Sequence, residues 1–224
     1  TSNPENHYDV GNGLKFRPPW IATMGGYVGV YAFDEPSLTD SRQDYTSKVY
    51  RCPVVPERVD ERNHAFGYNY QFLGNARMAA GRFYNYPVTR TNLASPSSTL
   101  LCADAAGTEA GLPRNARLPY NNNGTNYAEE SNHAYTLDPP RLTATSDRGS
   151  GDAGSPRTAI DPRHSDRVNS VFIDGHGKLM SGAALGYRQS ADGSYIDDAK
   201  GPDAPSNGLF GGDATDRDPP DRPV

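Results

Sequence analysis

The sequence predicts an α+β to mainly β chain with a central antiparallel sheet and long irregular loops. Three observations carry that expectation. The 224 residues include 23 Gly and 19 Pro, and both types interrupt helices. The apolar runs are short and rich in β-branched and aromatic residues, the types that suit a pleated, half-buried surface. Asp174-Gly175 separates two such runs, 168–173 and 178–180. That is a strong hairpin signal, because a tight two-residue turn needs positive φ at both central positions.

Along the chain, residues 1–19 are polar, end in Pro18-Pro19 and read as an irregular entry segment. Residues 24–33 form the first ordered region, with Tyr27, Val28, Val30, Tyr31 and Phe33 supplying β-type side chains. A loop follows at 36–44. Residues 45–50 form a short strand leading to Cys52-Pro53, and Pro53 and Pro56 force extended geometry on the residues before them. In 66–73, Phe66, Tyr68, Tyr70 and Phe72 alternate with Gly67, Asn69 and Gln71, the period of a strand, which Gly74 would end. Residues 77–84 are ambiguous and could turn as a short helix. Residues 99–103 read as a buried strand.

Residues 105–160 are dominated by Gly, Asn, Pro, Ser and Thr, and read as a long surface loop region that could contact other subunits. Loops of this length are usually functional or disordered. The region holds one Asn-x-Thr sequon, at Asn123, taken as unmodified. The predicted sheet joins the 168–181 hairpin to strands near 66–73 and 99–103, in one head domain spanning 1–181. Residues 182–224, rich in Asp, Gly and Pro, form a tail packed on the head or on a neighbour. Its apolar anchors are Tyr187, Tyr195-Ile196 and Leu209-Phe210. There is no internal repeat.

Only 35% of the residues are hydrophobic and the mean hydropathy is −0.76, values of a loop-rich protein with a modest core. The 14 Tyr help such a chain bury area, since each has a large apolar body with one hydroxyl to satisfy. Net charge is −5 with no basic block, so nucleic-acid binding has little electrostatic support. No apolar run approaches the roughly 20 residues of a membrane span.

Few residues suit catalysis. His164, Asp174 and His176 could form a metal or acid–base site. However, an extended 168–173 spans about 20 Å at roughly 3.3 Å per residue and puts His164 at the far end of the strand from Asp174. The favoured reading is structural: His164 fixes the strand entry, Asn169 bonds a neighbouring loop, Phe172 lies in the strand, and Asp174 and Gly175 make the turn. The chain has Gly149-Ser150-Gly151 and Gly154-Ser155-Pro156 but no Gly-x-Ser-x-Gly nucleophile turn. It also lacks a His-Glu-x-x-His zinc helix and a phosphate-cradling loop. No catalytic or cofactor-binding residue is assigned.

Several segments resemble one family of bacterial secreted proteins, the prepilin-type, pilin-like proteins with an H-X9-DG signature. Here His164 is followed nine residues later by Asp174-Gly175. Further similar segments are Trp20-Ile21 with Gly26-Tyr27-Val28-Gly29, Lys48-Val49-Tyr50-Arg51-Cys52-Pro53, the run Ala65-Phe66-Gly67-Tyr68-Asn69 through Leu73-Gly74, and Pro96-Ser97-Ser98-Thr99 through Ala103-Asp104. The five segments stand in the family's order. Residues 105–160 and 181–224 match nothing in it, and Ser165 sits where the family often has Gly. The family's prepilin leader and long apolar helix are also missing. Either the helix is cut off, it lies outside this stretch, or a separate chain supplies it.

The resemblance implies a pilin-like globular head of a pilin or pseudopilin, assembling by packing into or onto an extracellular filament, with no catalysis. It implies a bacterial surface or extracellular location. The partners would be copies of the chain or a separate helical pilin chain, with membrane contact only through a helix not present here. In such an oxidising setting Cys52 and Cys102 are compatible with a disulfide. Closing that loop of about 50 residues would stabilise the fold by roughly 4 kcal/mol; the alternative is two buried thiols. Two isolated Cys do not make a structural zinc site, which takes four ligands. Pseudopilins of this class can hold Ca²⁺ in a C-terminal loop, so Asp192, Ser194, Asp197 and Asp198 are calcium candidates, although an acidic solvated loop explains them better. The alternative functions are a secreted carbohydrate- or surface-binding module, using Tyr84, Asn85, Tyr86 and residues 120–126, or a secreted hydrolase with two carboxylates far apart in sequence.

Overall fold

A computed structural model describes residues 6–74, 76–79, 82–85, 88–149, 154–197 and 201–220, with 76–79 and 82–85 described as backbone only. The centre is a five-stranded antiparallel sheet. It contains β3 (Phe66–Tyr68), β6 (Leu100–Gly107), β8 (Val168–Phe172) and β9 (Gly177–Met180) in that spatial order, with β7 (Ala159–Ile160) also paired to β6. In β8, Val168, Ser170 and Phe172 are buried while Asn169 faces solvent, the alternation expected of a sheet with one covered face. The main core joins Leu100, Ile160, Val168 and Phe172 to Phe72 and Leu137. Two-stranded ribbons surround it: β1 (His7–Asp9) with β2 (Leu14–Phe16), β4 (Ala76–Ala79) with β5 (Arg82–Asn85), and β10 (Arg188–Gln189) with β11 (Tyr195–Ile196).

The mainly β, antiparallel expectation holds, but several elements differ from it. The β-type residues of 24–33 fall in a helix and the turn after it. The helix, α1 (Trp20–Val28), follows the extended Pro19 and ends at Gly29, whose φ is 70°. Its buried residues, Ile21, Ala22 and Gly25, face a second core with Val10, Phe33, Tyr45 and Tyr50. Residues 45–50 hold a 3₁₀ turn at Lys48–Tyr50 in place of a strand, with Ser47 Oγ accepting the Val49 N–H. The alternation in 66–73 breaks at Asn69. That side chain is fully buried and donates to the carbonyls of Leu100 and Phe210 at 2.9 and 3.1 Å. The following residues form a short helix, α2 (Tyr70–Leu73), buried at all four positions. Of the ambiguous 77–84 segment, 77–79 lie in β4 and 82–84 in β5, with Arg77 opposite Tyr84.

The largest correction concerns 105–160, expected as a surface loop throughout: 114–127 is mostly exposed, but the stretches on either side are largely buried. Ser131, Asn132, Ala134, Leu137, Asp138, Thr158, Ala159 and Ile160 are all fully buried. The polar composition is compatible with burial because Asp138 satisfies four donors at once. Its Oδ1 accepts Tyr70 O–H and Gln71 Nε2 at 2.8 Å each, and its Oδ2 accepts the N–H groups of Gly149 and Thr158 at 2.9 and 2.7 Å. The 182–224 segment packs on the head through anchors expected of it. Tyr187, Tyr195 and Phe210, with Leu185, belong to the same core as Val168, so residues beyond 181 complete the core beneath a sheet whose strands all precede them.

The β8–β9 hairpin forms with Val168 opposite Met180, but its loop has three residues. Phe172 O accepts Gly175 N–H at 2.9 Å, and Phe172 N–H donates to His176 O at 3.0 Å. Only Gly175 takes a positive φ, 94°, as in a turn followed by a left-handed glycine. The tight two-residue turn lies upstream. Ser165 and Asp166 both have positive φ, 54° and 59°, and His164 and Arg167 exchange backbone hydrogen bonds at 3.1 and 3.2 Å. A glycine at position 165 would take this conformation without strain.

Candidate functional site

The densest polar cluster gathers around Asp104 on β6, a carboxylate with no solvent exposure. A charge at such a depth needs partners, and the fold supplies them from three sides. Arg163 donates to Oδ1 at 2.7 Å and to the Ala65 carbonyl at 2.6 Å. The Asn169 N–H donates to Oδ2 at 2.6 Å. The turn at Ser165-Asp166 folds His164 back so that Nε2 lies 3.4 Å from the same Oδ2. Burial pushes the Asp104 carboxyl upward, opposed by Arg163, the Asn169 N–H and His164. The ion pairs continue outward: Arg163 reaches Asp161 at 2.9 Å, Asp161 reaches Arg58 at 3.0 Å, and Arg58 reaches Glu130 at 3.1 Å.

Cys52 completes the cluster, with its Sγ 3.8 Å from His164 Nε2. Cys52, Asp104 and His164 each offer one donor atom, and the three atoms lie within 4.8 Å of one another. This is not a nucleophile–base–carboxylate relay. A relay uses both imidazole nitrogens, one toward the nucleophile and one toward the carboxylate, whereas here thiol and carboxylate approach the same nitrogen. The set offers a thiol, an imidazole and a carboxylate converging on one point.

The expected disulfide is absent: Cys52 and Cys102 are both free. Cys52 sits over Asp104, two residues along β6 from Cys102, and two residues of strand span about 6.6 Å. Burial, with Asp104 nearby, pushes the Cys102 thiol up to about 12.

His164 and Asp174 lie at opposite ends of β8, as expected. Asp174 Oδ1 takes the backbone N–H of His176 at 3.2 Å and lies 2.6 Å from its Nδ1. These contacts hold its carboxyl below the usual range. The His176 ring stacks on Phe172 with centroids 4.4 Å apart. The Asp-Gly end of the motif is thus a turn fastened to its own strand. Asn169 acts at the Asp104 cluster through its backbone N–H.

Among the described calcium candidates, Asp192 and Ser194 bond each other while Asp197 is engaged elsewhere. Asp192 accepts from the hydroxyls of Ser190 and Ser194 and from the Ser194 N–H. Asp197 pairs with Arg148 at 3.0 Å, and Asp198 lies outside the described residues. Tyr84 and Asn85 are described only as backbone, and Tyr86 lies outside the described residues. Tyr120, Asn121 and Asn122 line a surface depression of about 320 Å³ with Asp44, Glu57 and Val59.

Reading the sequence missed the meeting of Cys52, Asp104 and His164, residues 112 positions apart at the extremes. One signal was available: an Asp directly after the apolar run 100–103 has to find partners. The chain matches no protein-family model, and no characterised protein or solved structure is similar to it. Among the described residues, no helix is long and apolar enough to cross a membrane.

Proposed function

We propose that the chain is a structural subunit, the globular head of a pilin-like protein that packs into or onto an extracellular bacterial filament. The observation that carries this reading is the convergence of the separated motif segments on Asp104. Cys52, the Ala65 carbonyl, His164 and Arg163 all meet there. Trp20 donates to the Tyr135 carbonyl at 3.1 Å and packs beside Tyr68, with ring centroids 5.9 Å apart. These contacts hold strands together, which supports a structural role for the residues that make them. Contacts with other subunits fall to α1, where Tyr27 is 92% exposed and Val28 55% exposed. Neighbouring exposed apolar side chains of this kind mark interaction surfaces, and contacts repeated along a filament multiply weak affinities.

The test is location. Antibody to the chain should label filaments sheared from the surface of the source cells. Antigen confined to the cell interior, with none in the sheared fraction, would overturn the reading. A second reading, a carbohydrate-binding module, is favoured by the depression at Tyr120, Asn121 and Asn122. Glycan-array binding by a monomeric chain, lost in Tyr120→Ala, would support it over the first.

A further inference from the structure

We propose that Cys52, Asp104 and His164 form a binding site for a single divalent transition-metal ion of the zinc type. Cys52 Sγ is within sulfur hydrogen-bond reach of His164 Nε2, but the spacing of the three donor atoms also suits a shared ion. His164 Nε2 lies 3.4 Å from Asp104 Oδ2 and 3.8 Å from Cys52 Sγ. The first separation is too long for a good N–H···O hydrogen bond, which falls at about 2.7–3.2 Å. Both are near the edges of a metal tetrahedron. With bonds of about 2.0 Å to nitrogen, 2.1 Å to oxygen and 2.3 Å to sulfur, tetrahedral angles put N and O about 3.3 Å apart, and N and S about 3.5 Å. Convergence of thiol and carboxylate on one imidazole nitrogen is wrong for a proton relay and right for a common ion.

Chemistry and charge agree with the geometry. Thiolate, imidazole and carboxylate together suit zinc and its neighbours, and disfavour calcium and magnesium, which take oxygen ligands. Around the site, Arg58 and Arg163 face Asp104, Asp161 and Glu130. These two cations stand against three carboxylates, and a divalent ion offsets such an excess of negative charge. A Cys ligand binds as thiolate and gives its proton to solvent. Cys52 and Asp104 are buried, while the His164 side chain keeps 22% of its surface exposed. That edge gives the ion an entry and leaves its fourth position for water. The Asp104 orientation is fixed independently, by Arg163 on Oδ1 and the Asn169 N–H on Oδ2, the outer support that metal ligands require.

The full chain, reduced and stripped with a chelator, is titrated with Co²⁺. The expected result is a thiolate-to-cobalt charge-transfer band that saturates at one ion per chain and is bleached by Zn²⁺. Cys52→Ser should abolish the band, Cys102→Ser should keep it, and His164→Asn should weaken Co²⁺ binding by more than about 100-fold, beyond the cost of losing an outer partner. The wild-type titration decides the matter even if a variant fails to fold: no charge-transfer band overturns the site, as does a band that survives in Cys52→Ser. The outcome is independent of whether the chain belongs to a filament.

Discussion

Arg163 and Asp104 form a buried ion pair, Nη2 to Oδ1 at 2.7 Å, with side-chain exposures of 6% and 0%. The guanidinium also binds the Ala65 carbonyl, so one contact ties β6 to the chain entering β3 and to the turn entering β8. Removing one member leaves the other charged and buried, which typically costs about 3–5 kcal/mol. Asp104→Ala should lower urea-unfolding stability by that amount. In metal-free protein His164→Ala should cost only about 1 kcal/mol, because its two contacts are long and its edge meets solvent. Equal losses in the two variants would show that Asp104 is not the anchor.

Asp138 ties the polar stretch around 131–149 and Thr158 into the core. Asp138→Asn keeps the shape but turns an NH₂ toward one pair of its donors. Leaving buried donors unsatisfied costs about 1–3 kcal/mol each. The expected loss is at least about 2 kcal/mol, with amide exchange at Gly149 and Thr158 accelerated more than in β9. Unchanged exchange at those two amides would contradict the role.

How much of this was legible in the sequence depended on range. The β8–β9 hairpin and the Thr99–Ala103 strand were visible because their signals are local: a turn residue and a buried apolar run. The α1 helix was not, because Tyr27 and Val28 look like strand residues and point to solvent in the fold. The break at Asn69 depends on carbonyls at Leu100 and Phe210, and the burial of 131–138 depends on Tyr70 and Gln71. A composition-based reading cannot see a carboxylate that satisfies donors from three separate segments. Of the three residues of the candidate site, His164 is legible as a strand-entry residue, a role its backbone bonds to Arg167 fit, whereas its partners Cys52 and Asp104 lie too far away in sequence to suggest themselves.

Glu109 predicts a pH signature. Burial first, then Glu130, pushes its carboxyl up to about 7, from an ordinary 4.5. Between those values the folded chain holds a proton that the unfolded chain has lost, so this group's contribution turns against folding as pH rises through that window. His64 and His133, both held down to about 3 chiefly by burial, act oppositely and cost stability as pH falls below 6.5. Comparing Glu109→Gln with wild type isolates the first effect. The variant's relative stability should rise by up to about 3 kcal/mol between pH 4.5 and 7.5. A pH-independent difference would refute it.

Two glycines with positive φ should respond differently. A Cβ on Gly175 meets nothing within 4 Å, so Gly175→Ala costs only backbone strain, about 1–2 kcal/mol. A Cβ on Gly107 (φ 78°) runs into the backbone of Ser131 and Asn132, so Gly107→Ala should cost several kcal/mol or prevent folding. Similar melting temperatures for the two variants would contradict the packing of 131–132 against β6.

The filament role is tested most directly by Tyr27→Glu, which places a charge on the exposed face of α1 without touching either core. Source cells carrying this variant should make a chain that melts as wild type does, yet yield few or no filaments on shearing. Normal filament yield with the variant, or wild-type filaments that lack the chain altogether, would contradict the proposed role.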